Sequence, residues 1–214
     1  IYRSATLGTL EFLDLWMILL GLLVAFLAGV VKGIAGFGVP FVMITLLSLF
    51  LPLPVALAAL IIPALVANVQ LLMRGGLGDI GPILSGYWRF FVVFLGFVAL
   101  SAQWVDVISA SEGYLVIGLI ALLVCGLRLF GGGLRMGRRG LPWIEVIMGA
   151  GAGMIGGITG VWGPLTVAYL ELRNVPKVQH MKVQGVIYAI GSVGLVLAHL
   201  NSGVLNAQTA PLSA

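Results

Sequence analysis

In the stretch Gly29-Val30-Val31-Lys32-Gly33-Ile34-Ala35-Gly36-Phe37-Gly38-Val39-Pro40, a long apolar run ends in a lysine, breaks up into glycine and restarts at a proline. A second stretch, Gly153-Met154-Ile155-Gly156-Gly157-Ile158-Thr159-Gly160-Val161-Trp162-Gly163-Pro164, has the same layout at an offset of 124 residues, with five identities in twelve. Glycine permits a sharp break and leaves the backbone bare, while proline suits the first turn of a new helix, where its missing donor matters least. Each stretch therefore predicts a helix that stops, turns and starts again.

Outward from these breaks the chain is apolar almost everywhere. Of its 214 residues, 61% are hydrophobic and 8% charged, whereas a soluble domain is about one quarter charged. One globular core cannot absorb that much apolar surface, so the surroundings must be apolar too. The runs 12–31, 55–73, 113–127 and 183–198 contain one charge between them, Asp14. With their flanks they approach the roughly 20 residues that carry a helix across about 30 Å of hydrocarbon. The alternation of barrel strands is missing, which leaves helices. Hydrophobic segments continue to the end of the chain, so a cleaved leader does not explain them.

The expected segments are 12–31, 39–50, 55–73, 86–102, 112–130, 142–157, 162–172 and 178–198. At about 1.5 Å per residue, 39–50 and 162–172 reach only about 18 and 17 Å, too short to cross alone. Each follows a glycine break and so forms a broken or re-entrant hairpin with the helix before it. Arg128, Arg135, Arg138 and Arg139 surround Gly131-Gly132-Gly133 without an acidic residue between Glu112 and Glu145, so loop 131–141 is read as cytoplasmic. Arg173, Lys177 and Lys182 form a second inside cluster, which requires 142–172 to enter and return on one side. The same reading of 12–50 puts the amino terminus outside.

The fold class expected is an all-α polytopic membrane protein with inverted-topology repeats, each opening with a broken helical hairpin. The first repeat covers 1–130, with hairpin 12–50 and helices 55–73, 86–102 and 112–130. The second, 142–214, has hairpin 142–172 and helix 178–198 and is incomplete, its last helices expected to begin near Val204 and to be missing from this chain. Pro54 and Pro176 are read as the next matched pair, after a two-residue gap.

Lys32 is the sharpest candidate for function. A cation at the inner end of an apolar run is expensive in lipid and tends to serve a purpose. Glycine-rich backbone and the positive end of a half helix beside it would make an anion site; the alternative is a lysine that reaches a lipid headgroup. Gly36, Gly38, Gly160 and Gly163 are candidates for backbone that faces a ligand, next to Pro40, Thr159 and Trp162. Asn68, Gln184 and Tyr188 are further candidates, the last two sharing a helix face. His180 is a candidate for gating. Gly29, Gly149 and Gly153 read as close-packing positions between helices.

Nucleotide loops, paired metal ligands and a nucleophile elbow are all missing from the sequence, so no cofactor, metal or enzymatic activity is expected. Cys125, the single cysteine, lies within an apolar run and forms no internal disulfide. What remains is transport by a carrier or a channel, with a small anion and the bilayer as partners, no nucleic acid, and a homodimer as a candidate assembly.

At the two breaks, at Leu53-Pro54-Val55-Ala56 and at Asn174-Val175-Pro176, the sequence resembles the sulfite exporter family known as TauE/SafE. The resemblance implies a permease of the bacterial inner membrane that exports sulfite or an organosulfonate such as sulfoacetate by alternating access. It places the two hairpin tips together near mid-membrane, with Lys32 and backbone donors on the substrate oxygens. Family members commonly carry more glycine where this chain has Phe37 and Val161-Trp162. An anion channel, an uptake permease for another small anion and a non-transporting assembly protein remain the alternatives.

Overall fold

A computed structural model describes residues 15–35, 38–105, 107, 111–112, 115, 118–119, 122, 126, 142–207 and 209. The expected segment 112–130, loop 131–141, Cys125 and Gly36 lie wholly or largely outside these residues.

Among the described residues all regular structure is helical. In chain order the helices are α1 (Leu15–Ala35), α2 (Val39–Leu47), α3 (Leu53–Gly75), α4 (Ile80–Gly86), α5 (Trp88–Ser101), α6 (Pro142–Thr159), α7 (Gly163–Leu172) and α8 (Lys177–Ser202). Helices α1, α3 and α8 are long and apolar enough to cross a membrane. α1 presents Trp16, Leu22, Phe26 and Ile34 outward, the last 85% exposed, a surface that only lipid or another apolar element accommodates. The chain is thus an all-α polytopic membrane protein.

The expected segment 86–102 corresponds to α5 and its trailing 3-10 turn, and a short helix almost wholly before that segment, α4, leads into it at a sharp bend. α4 with its leading 3-10 turn, and α5 with its trailing one, meet at 88° across Tyr87, whose backbone leaves the helical region at φ −126°, ψ 19°. Asp79 and Gly86 bound the short first arm, and its apolar stretch is too short to show the bend in sequence.

Both glycine breaks interrupt the chain where expected. α1 ends at Ala35, and Gly38 caps α2 with φ 113°; α6 ends at Thr159, and Gly160 turns with φ 72° before α7. Side chains other than glycine resist such positive angles. The helix boundaries recur at one interval: Ala35 and Thr159, Val39 and Gly163, and Leu53 and Lys177 are each 124 residues apart. The helix caps follow it as well, Pro52 with φ −56°, ψ 144° and Pro176 with φ −57°, ψ 141°. At this interval Pro176 falls opposite Pro52, two residues before the Pro54 paired with it from the sequence.

Two seams are the most extensive contacts between the described helices. α6 lays Gly149, Gly153 and Gly157, one helical face, against the backbone of α5. An added Cβ would stand 3.0 Å from the Phe90 oxygen, 2.4 Å from that of Phe94 and 2.5 Å from that of Val98. The small face lets the two backbones approach, the main source of helix association in lipid. The Ser101 hydroxyl donates to the Gly153 carbonyl at 3.1 Å across the same seam. α3 and α8 pack antiparallel, since Asn68 meets Ser192, Leu72 meets Gly185 and Gly75 meets Lys182 in turn. By contrast, Gly29, read as a packing position, has no heavy atom within 4 Å of an added Cβ among the described residues.

Candidate functional site

The two breaks come together. A Cβ built on Gly160 would lie 3.7 Å from Pro40 Cβ and 3.1 Å from Leu60 Cδ1, so the second break sits on the start of α2 and on α3. Between them lies a small cavity. The first break contributes Lys32, Gly38, Pro40 and Phe41, and the second contributes Gly160, Val161, Trp162, Gly163 and Pro164. Asn68 from α3 and Tyr188 from α8 also line it.

Lys32 lies in the last turn of α1 and donates from Nζ to Asn68 Oδ1. Asn68 is buried, and its Nδ2 donates to Ser192 Oγ at 2.7 Å. A lysine ammonium only donates, so the amide must turn its oxygen to Lys32 and its nitrogen to Ser192. The partner of the cation is therefore neutral, and no carboxylate among the described residues pairs with it. The caps of two half helices, Gly38 before α2 and Trp162 before α7, also line the cavity. Both helices start there with their positive ends. Proline in the first turn of each removes one donor that no carbonyl of the helix would have used.

The walls are aromatic and tightly packed. Trp162 is buried, meets Phe94 edge-on at 5.7 Å, and fills the space beside Gly156 and Gly191, where an added Cβ would stand 2.8 Å from its ring in one case and 3.4 Å in the other. Tyr188 donates from its hydroxyl to the Gly163 carbonyl at 3.3 Å, tying α8 to the start of α7.

Of the residues singled out in the sequence, Lys32, Gly38, Pro40, Asn68, Gly160, Trp162, Gly163 and Tyr188 line this cavity. Three do not. Thr159 is buried and turned to its own backbone, donating to the Ile155 carbonyl at 2.8 Å and accepting from Val161 N at 3.1 Å, so that it caps the broken end of α6. Gln184 is buried one turn before Tyr188, outside the lining. His180 stands in the first turn of α8, also outside it. Phe41, Val161 and Pro164 were not singled out, although each adjoins a residue that was. Ser192 was not singled out either; the signal for it was its interval of 124 from Asn68.

Two further polar groups sit away from the cavity. Arg173 Nη1 donates to Glu145 Oε1 at 2.9 Å, to the Tyr169 hydroxyl at 3.0 Å and to the Gly86 carbonyl at 3.2 Å, with its guanidinium 4.4 Å from the Tyr87 ring centre. It thus fastens the end of α7 to the start of α6 and to the bend before α5. His199 is fully buried, with Nε2 donating to the Gly157 carbonyl at 2.8 Å and Nδ1 accepting from Ser202 at 3.1 Å.

The fold defines a polytopic helical membrane protein in which two broken helices meet at a small cavity that holds Lys32 and Asn68. Within that class the chain belongs to the sulfite exporter TauE/SafE family, whose model matches residues 21–214 and so includes both breaks. Proteins of this family are membrane transporters of sulfur-containing anions. No curated protein and no solved structure matches the chain.

Proposed function

We propose that the protein is a secondary transporter that exports a small sulfur-containing anion, sulfite or an organosulfonate such as sulfoacetate, across the bacterial inner membrane by alternating access. The observation that carries this reading is the pairing of Lys32 with a neutral amide inside a cavity walled by two bare helix starts. Had the partner been a carboxylate, the charge would have been cancelled. With an amide, one positive charge and two helix dipoles face the cavity, and an incoming anion supplies the missing negative charge. Lys32 is the one residue with a formal charge among the described lining residues, and it meets one negative charge of the substrate, such as the sulfonate group. Phe41, Val161 and Trp162 offer apolar surface to the rest of such a molecule.

The proposal includes two inverted repeats, 1–130 and 142–214, whose helices correspond over 15–75 and 142–202 among the described residues. Supporting it are the interval of 124 that relates their helix boundaries and the antiparallel course of the counterpart helices α3 and α8, as repeats of opposite topology require. Loop 131–141 is placed in the cytoplasm and the amino terminus outside. An anion then leaves with the membrane potential, and no enzymatic step or cofactor is invoked.

The test is flux in proteoliposomes of purified protein, offered sulfite, sulfoacetate, taurine, sulfate and chloride, against a Lys32→Ala variant. Saturable flux of sulfite or a sulfonate that Lys32→Ala abolishes is the expected result. Flux that does not saturate would make the protein a channel, and flux indifferent to Lys32→Ala would move the site elsewhere.

A further inference from the structure

We infer that Ser192 is a positioning residue for the anion site: it anchors the Asn68 side chain to α8 through the amide nitrogen, so that Oδ1 stays within reach of Lys32. The inference rests on the transport reading above and concerns the same site. Ser192 is 1% exposed and stands outside the cavity lining, one turn beyond Tyr188 on α8. It acts only through Asn68, whose Nδ2 it accepts at 2.7 Å.

An asparagine amide has two faces of opposite character that differ by a half-turn of one torsion. With Oδ1 toward Lys32, the ammonium has one donor engaged and keeps the others for a ligand. With Nδ2 toward Lys32, two donors would confront each other, and the lysine would lose its anchor and withdraw from the cavity. Lys32 alone biases the amide correctly while the two are in contact. Once an arriving anion draws the ammonium away, the bond to Ser192 keeps the Asn68 side chain from following it, because the hydroxyl ties the amide to α8. Ser192 lies in the second half of the chain and Lys32 in the first, so the chain Lys32, Asn68, Ser192 also fixes the position of the cation relative to both halves.

The experiment is concentration-dependent flux of methanesulfonate, a permanent monoanion, in proteoliposomes. Ser192→Ala removes the acceptor, and losing one hydrogen bond in a charge-linked buried chain predicts a KM raised by about tenfold, with the maximal rate within about twofold of the parent. Ser192→Thr keeps the hydroxyl and is expected to restore the KM. Lys32→Ala and Asn68→Asp are run beside them, the aspartate being expected to cancel the cation and abolish flux.

If Lys32→Ala and Asn68→Asp abolish flux while Ser192→Ala matches the parent, Ser192 has no positioning role and the site stands without it. Should Ser192→Ala and Ser192→Thr fail alike with lowered melting temperatures in detergent, Ser192 is a packing residue and the inference is wrong. Normal flux in Lys32→Ala and Asn68→Asp would remove the site itself, and the role of Ser192 with it.

Discussion

Asn68 and Ser192 share a 2.7 Å hydrogen bond where α3 and α8 pack antiparallel, and they stand 124 residues apart. The same interval separates Gly36 from Gly160 and Pro40 from Pro164, so under the proposed two-repeat architecture each of the pair is the counterpart of the other. A residue reaches its own counterpart only near the axis that relates two halves. That places the polar chain from Lys32 where rocking of one half against the other moves atoms least, a suitable position for a site that stays fixed while access alternates.

The Gly160 turn should not tolerate a side chain. Its φ of 72° and the Leu60 Cδ1 3.1 Å from an added Cβ predict that Gly160→Ala costs about 1–2 kcal/mol in backbone strain and deforms the cavity wall. Flux through reconstituted Gly160→Ala is expected to fall by at least about tenfold, the rate equivalent of about 1.4 kcal/mol, while insertion and helix content by circular dichroism are retained.

Packing of α5 on α6 gives a contrast between two glycines. Gly153→Leu drives a side chain into the Phe94 carbonyl, 2.4 Å from the first added atom, and is expected to destabilise by about 1–3 kcal/mol or more. Gly29→Ala meets no described atom within 4 Å and gains about 0.8–1 kcal/mol of helix propensity. Thermal unfolding in detergent should show a lower midpoint for the first and an unchanged or higher one for the second.

Arg173 and Glu145 form a largely buried ion pair, with side chains 14% and 7% exposed. Arg173→Met leaves the carboxylate buried and uncompensated, a loss of about 3–5 kcal/mol. The double variant Arg173→Met with Glu145→Leu removes both charges and is expected to recover most of it. A double variant no more stable than Arg173→Met in the same melting assay would show that the bonds of Arg173 to Tyr169 and Gly86, rather than the ion pair, carry the stability.

One formal charge in the cavity predicts electrogenic movement of a monoanion. A potential of 100 mV, negative inside, contributes about 2.3 kcal/mol per charge, which corresponds to about a 50-fold outward gradient at equilibrium. Methanesulfonate distribution in vesicles held at set potassium diffusion potentials measures this. A distribution independent of potential would mean that a cation accompanies the anion or that another anion exchanges for it.

The sequence by itself determined that the chain lies in a membrane and is helical there, because hydrocarbon leaves backbone polar groups no partner but one another and the apolar runs have crossing length. It also located both breaks: glycine and proline act locally, through allowed angles and a missing donor, and Gly38 and Gly160 sit at positive φ in the structure. For the same reason Lys32, isolated at the end of an apolar run, stood out without any knowledge of its neighbours. Tertiary structure alone decided which polar groups meet. Asn68 touches Lys32 and Ser192 across 36 and 124 residues of chain. Thr159, equally polar and beside the break, turns to its own backbone. Gln184, on the same helix face as Tyr188, stays out of the cavity that Tyr188 lines. Such outcomes depend on the rotation and depth of whole helices against one another. Those are set by close contacts such as Gly153 on Phe94 and Gly185 on Leu72; the sequence marks Gly153 as a packing position but does not say which helix it meets.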